Sequence, residues 1–256
     1  MKVSQVAAQL YTVRSSLKTP ADIAASLKRI RQIGYPAVQL SSLGPISEAD
    51  LAKLLEDNGL VCCATHEDGA QILSRPEALV AKLKAIGCAH TAYPYPSDVK
   101  LDTLDDVKAF AKALNAAGKV MHEAGITLCY HNHNIEFRRF DGKLMLDILY
   151  QETDPRYLQG EIDTYWVQHG GGDSEEWCRK LKHRLPLLHM KDYGVTRESK
   201  PTFFEIGYGN LNWRPIVAAA DASGCEWYIV EQDICSGDPF DSLTMSFEYI
   251  RDQLCS

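Results

Sequence analysis

Eight short apolar runs, each followed by a longer amphipathic stretch, set the strongest limit on what this chain can fold into. The runs are Val3 to Leu10, Ala37 to Leu40, Leu60 to Thr65, His90 to Tyr93, Ile126 to Tyr130, Leu158 to Ile162, Leu187 to Met190 and Trp227 to Val230. Strands that are short and apolar on both faces belong in parallel sheets covered on both sides. Between them, apolar residues recur three and four apart. Ile23, Leu27, Ile30 and Ile33 predict a helix from about Pro20 to Ile33, closed by Gly34. Leu104, Val107, Phe110, Leu114, Val120 and Met121 predict the longest helix, Leu104 to Glu123. Ser47 with Asp50 marks a helix start that runs to Asn58, and Asp173 with Glu176 marks another. Further helices are expected over Pro76 to Ile86, Leu144 to Gln151, Trp213 to Ala222 and Phe240 to Leu254.

Eight strand-helix units of roughly 30 residues predict a single (β/α)8 TIM barrel occupying residues 1–256 as one domain. A doubly wound open sheet is the competing arrangement. No G-x-G-x-x-G follows the first run and no G-x-x-x-x-G-K-[ST] occurs, which removes its nucleotide-binding forms.

Composition narrows the function classes. Lys and Arg number 27 against 34 Asp and Glu, a formal net charge of -7, so binding along a phosphate backbone is not expected. No apolar run approaches the roughly 20 residues of a membrane span, and the opening MKVSQVAAQL lacks the apolar stretch of a signal peptide. The eight cysteines form no C-x-x-C pair and several lie in apolar runs, as reduced thiols do in a cytoplasmic protein.

In a barrel of this kind the reactive residues sit at the carboxyl ends of the strands. The third run leads into His66-Glu67-Asp68 and the fifth into His131-Asn132-His133-Asn134-Ile135-Glu136. The sixth carries Glu161 and Asp163, the seventh His189, Lys191 and Asp192, and the eighth leads into Glu231-Gln232-Asp233. Four successive strands thus bring carboxylates and imidazoles to one rim. Such a donor set suits one divalent ion, Mn²⁺ or Mg²⁺ ahead of Co²⁺ or Zn²⁺. An open metal site that binds a sugar carbonyl and its neighbouring hydroxyl lowers the barrier to an enediolate. Epimerisation, isomerisation and β-elimination of water share that step.

The stretches YHNHNIEF, EIDTYWVQHGGGD, LLHMKD, FFEIGYGNLNW and YIVEQD resemble the sugar phosphate isomerase/epimerase family, a group of xylose isomerase-like barrels. The resemblance implies one metal held by Glu136, Asp163, His189 and Glu231. The last three directly end apolar runs. Glu136 stands five residues beyond the strand-five end, where His131 lies, so His131 or His133 is the alternative ligand there. Glu136, Glu231, His131 and His133 are the candidate proton-transfer groups, and His66, Glu161, Lys191 and Gln9 the candidate substrate-binding ones.

Each has a plainer reading. Glu161 can form an ion pair within the barrel mouth, and Lys191 can pair with Asp163 or Glu161. Gly170-Gly171-Gly172 reads better as a connector than as an anion cradle, and Trp166 and Trp213 as packing. Arg138, Arg139, Lys191 and Arg197 can bind a phosphate or lie on the surface. The sequence therefore leads to a metal-dependent isomerase or epimerase of a keto sugar, polyol or derivative. The alternative is a lyase such as a keto-inositol dehydratase on the same barrel. An AP endonuclease would need more early histidines and basic loops than His66, His90 and this charge provide, and a non-catalytic sugar-binding barrel would not need the intact ligand set. A homo-oligomer is compatible with the barrel.

Overall fold

The computed structural model describes residues 1–255. Eight parallel strands close into a barrel: β1 (Val6–Gln9), β2 (Ala37–Leu40), β3 (Val61–His66), β4 (His90–Tyr93), β5 (Thr127–His131), β6 (Gln159–Asp163), β7 (Leu187–Met190) and β8 (Trp227–Val230). Closure comes from β1 pairing with β8 through Val6↔Tyr228 and Ala7↔Ile229. This is the expected (β/α)8 arrangement.

Strand alternation divides the core in two. Val6, Ala8, Val38, Leu128, Tyr130, Leu188, Met190, Tyr228 and Val230 face outward into the large apolar cluster under the helices. Ala7, Ala37, Cys63, Ala64, Ala92, Cys129, Leu187 and Ile229 form a second cluster inside the barrel. Two residues further along the same faces come Gln9, Gln39, His131, His189 and Glu231. A floor of mostly small apolar side chains therefore carries a polar layer directly above it.

The helices Pro20–Ile33 and Leu104–Glu123 fall where apolar spacing places them. Thr19 and Thr103 start them, their hydroxyls accepting from Asp22 N and Asp106 N. The long helix approaches the segment before β6 so closely that a Cβ on Gly118 would lie 1.9 Å from the Tyr157 carbonyl oxygen.

Several elements depart from the sequence reading. The first run is a strand only over Val6–Gln9, flanked by 3₁₀ turns at Val3–Gln5 and Leu10–Ser16. Strands β3, β5 and β6 each lie one residue later than expected, which brings His66, His131 and Asp163 into the strands themselves. The last helix ends at Tyr249 and continues as a π turn, Ile250–Leu254. Two antiparallel hairpins, Arg139–Phe140 with Lys143–Leu144 and Asp192–Val195 with Pro201–Phe204, were not expected. Among the described residues no helix is long and apolar enough to cross a membrane.

Candidate metal centre and active-site pocket

Two buried imidazoles organise the site. His131 at the end of β5 turns Nδ1 toward Glu161 Oε2, at 3.2 Å, and Nε2 toward Asp163 Oδ2, at 4.0 Å. His189 on β7 does the reverse: Nε2 faces Glu161 Oε2 at 3.4 Å, while Nδ1 faces Asp163 Oδ2 at 3.8 Å and Glu231 Oε2 at 3.1 Å. Each ring thus spans from Glu161 beneath to the Asp163–Glu231 pair above.

Glu161 is already committed. Its Oε1 accepts from Gln39 Nε2 at 2.6 Å and its Oε2 meets His66 Nε2 at 2.5 Å. Gln39 Oε1 in turn faces His189 Nε2 at 2.6 Å and accepts from Gln9 Nε2 at 2.8 Å. A carboxylate and an amide that engage the rear nitrogens of two imidazoles fix the rings and raise their basicity as ligands. The forward set is less satisfied. Asp163 Oδ2 is buried and makes no aligned hydrogen bond, and on the rear side His131 Nδ1 also lacks an aligned one.

Two overlapping groups have metal-ligand spacing, His131, Asp163, His189 and Glu231, and His66, His131, Glu161 and His189; the donor atoms within each group lie inside 4.8 Å. Donors about 2.1 Å from one ion stand roughly 3.0–4.2 Å apart, and the measured 3.1, 3.8 and 4.0 Å of the first group fall in that range. That group also contains the unsatisfied Asp163 oxygen, so its residues fit a divalent ion.

Electrostatics agree with this division. Burial pushes the Asp163 carboxyl up to about 6 even beside Lys191. Burial would also raise Glu161 and Glu231, but His189 and His66 around the first, and Lys191 and His189 around the second, hold both well below the usual carboxylate range. Burial opposes charge on His189, yet Glu161 and Glu231 raise it to about 10. His131 is lowered to about 3, by burial first and then by the neighbouring His189. Lys191 bridges three carboxylates, with Nζ 2.6 Å from Glu231 Oε2, 2.9 Å from Asp233 Oδ1 and 3.2 Å from Asp163 Oδ2.

The sequence-selected residues His66, Gln9, His131, Glu161, Asp163, His189, Lys191 and Glu231 all converge here. Glu136 does not. The 3₁₀ turn Ile135–Phe137 folds it back under β5, where Oε1 accepts from Tyr130 Oη at 2.7 Å and Oε2 from His133 N at 2.8 Å. It belongs to neither group, and β5 contributes His131 instead. His133 lines the pocket beside Tyr95, its pKa held well below the usual imidazole value by burial.

The pocket above the centre measures about 620 Å³. Its walls include Tyr11, Arg14, Tyr95 and Ile234, none of which sequence reasoning singled out. Tyr95 and Ile234 lie two and four residues beyond the ends of β4 and β8, where an apolar side chain carries no chemical signal of its own. Asp192, just beyond the seventh run, is a buried acceptor for the 205–213 loop.

The sequence profile of xylose isomerase-like TIM barrels matches residues 27–252. The chain belongs to that family. The inosose dehydratase of Geobacillus thermodenitrificans is 29% identical over 156 residues, 54% of this chain and 52% of that protein. The chain thus spans about half the length of the curated relatives it matches. A sugar phosphate isomerase/epimerase from Parabacteroides distasonis superposes with a TM-score of 0.84 at 22% identity, covering 98% of this chain and 95% of that one. An L-ribulose 3-epimerase superposes at 0.75 and 16% identity, covering 98% and 93%. Both structural likenesses concern the fold. The names of these relatives fit both the epimerase and the dehydratase reading of the sequence.

Proposed function

We propose that the chain is a divalent-metal-dependent enzyme that removes a proton from the carbon beside the carbonyl of a sugar, polyol ketone or cyclitol. The observation that carries this reading is the pair of imidazoles clamped from behind by Glu161 and facing an incompletely bonded Asp163 and Glu231 at metal-ligand spacing. His131, Asp163, His189 and Glu231 would hold the ion, Mn²⁺ ahead of Mg²⁺, Co²⁺ or Zn²⁺ because two imidazoles accompany the carboxylates. Once bound, it would stabilise the negative charge that grows on the carbonyl oxygen as the adjacent carbon loses its proton.

The chain's own residues supply the rest. Lys191, held by three carboxylates, fixes a positive charge in the pocket wall. His133 is neutral near pH 7 because burial depresses its pKa, so its ring can accept a proton from a substrate in the pocket. Glu231 lines the same pocket and is the candidate carboxylate for proton transfer. Gln9 and His66 hold the polar floor through their 3.4 Å contact.

Isomerisation or epimerisation follows when the proton returns to carbon. The lyase outcome, in which a hydroxyl leaves as water, is favoured by the inosose dehydratase names among the sequence relatives. The test is metal content together with solvent deuterium exchange into keto sugars and an inosose. About one ion per chain and exchange at the carbon beside the carbonyl are expected, both lost in Asp163→Ala and His189→Ala. A wild-type protein that retains no ion after loading with Mn²⁺ would refute the reading.

A further inference from the structure

The pocket carries more information about the substrate than the metal centre does, and its charge comes first. Of the cations that the sequence offers for a phosphate, only Lys191 lines the pocket. Arg138 donates to the Ile135 and Leu101 carbonyls, and Arg139 donates to Gly142 O in the small hairpin. Arg197 is exposed in the turn of the larger hairpin. Lys191 is saturated by Asp163, Glu231 and Asp233. The remaining cation on the pocket wall, Arg14, donates to the Tyr11 and Asp233 carbonyls. Glu67, Asp68, Glu231 and Asp233 line the same space. A phosphate monoester would set its charge against that acidic wall with only Arg14, already donating to two backbone carbonyls, to receive it.

Size and shape come second. A monosaccharide has about a dozen non-hydrogen atoms, and at the roughly 30 Å³ of a liquid water apiece it would need at most about 360 Å³. The pocket offers about 620 Å³. Part of the pocket wall is apolar and open to solvent. There Tyr95 and Ile234 line the pocket while 44% and 69% exposed, two of the few large apolar side chains left to solvent. Tyr95 follows β4 and Ile234 follows β8, four strands apart in a ring of eight, so they stand on opposite sides of the opening. A polyol alone has nothing to place against such a pair, whereas an apolar group leaving the sugar would pass between them.

We propose that the substrate is an uncharged keto-glycoside: a sugar ring that carries its ketone at a ring carbon other than the anomeric one and lies on the polar floor, with its apolar anomeric substituent extending between Tyr95 and Ile234. This deepens the proposed function and rests on the site reading above. The test titrates Mn²⁺-loaded protein calorimetrically with free hexoses, their 6-phosphates and their phenyl glycosides. The phenyl glycosides are expected to bind about tenfold more tightly than the free sugars, and the phosphates more weakly than either. The preference is expected to collapse in the double variant Tyr95→Ala, Ile234→Ala. Equal binding of free sugar and glycoside, tighter binding of the phosphate, or a preference that survives the double substitution would each overturn this inference and leave the sugar reading standing. Metal-loaded protein that binds none of the three would overturn both.

Discussion

Glu136 and His131 show how far single residues can be read without coordinates. Both follow the fifth apolar run, and the family resemblance implies a carboxylate donor there, which points to Glu136 with His131 or His133 as the alternative. The backbone reverses that preference: the 3₁₀ turn carries Glu136 away from the barrel axis, while His131, still in β5, points into it. Glu136→Gln is therefore expected to keep one ion per chain in elemental analysis, and His131→Ala to lose it. The Gln variant should still be less stable by about 1–3 kcal/mol in denaturant titration, since its amide cannot accept from both Tyr130 Oη and His133 N. Loss of metal from Glu136→Gln would restore the sequence-based assignment. Lys191 makes a second case. Its ammonium lies against Asp163 Oδ2 and Glu231 Oε2, the oxygens assigned to the metal, so the two cations neutralise the same pair. Lys191→Met is expected to destabilise metal-free protein by roughly 3–5 kcal/mol and metal-loaded protein by clearly less. Thermal unfolding with chelator and with Mn²⁺ measures the difference, and equal losses would separate the two cation sites.

Elements were legible where burial imposes a period and illegible where one residue organises a loop. All eight barrel strands follow from apolar runs, because a strand covered on both faces leaves no room for polar side chains until it reaches the rim. The hairpin Asp192–Val195 with Pro201–Phe204 has no such pattern. It stays partly exposed, and Phe203 is held by stacking on Tyr165 at 4.1 Å. The loop that follows is held by Asp192, whose carboxylate accepts from Gly207 N, Gly209 N, Leu211 N, Tyr193 N and Trp213 Nε1 at 2.8–3.2 Å. Burial still leaves its pKa raised. Only the glycines of GYGNLNW hint at this, because Gly207 has positive φ and a Cβ on Gly209 would meet Asp192 at 2.4 Å. Asp192→Ala leaves those donors without their acceptor, and a loss of at least about 3 kcal/mol is expected. Hydrogen exchange should locate it, with protection falling first at Gly207, Gly209 and Leu211. Uniform loss across the barrel, with no early release of this loop, would contradict the assigned role.

At the scale of the whole molecule, counting apolar runs gave the barrel, and alternation along each strand explains why chemistry gathers at one end of it. Small residues inside the lower barrel let the strands close, and the next inward positions are the first with access to the pocket. The proposed ligands come from β5, β6, β7 and β8, the four successive strands that the apolar runs indicate, and these are adjacent in the ring. An ion held by them bridges half the barrel, so its binding free energy adds to the unfolding free energy of the entire domain rather than to one loop. At an ion concentration 100 times the dissociation constant that addition is about 2.7 kcal/mol. For a chain of this length it corresponds to a rise in melting temperature of roughly 5–10 °C. Scanning calorimetry with added Mn²⁺ should show the shift as one cooperative transition, reversed by chelator and absent from Asp163→Ala. A wild-type transition unmoved by saturating ion would mean that the four side chains meet for packing and charge balance alone.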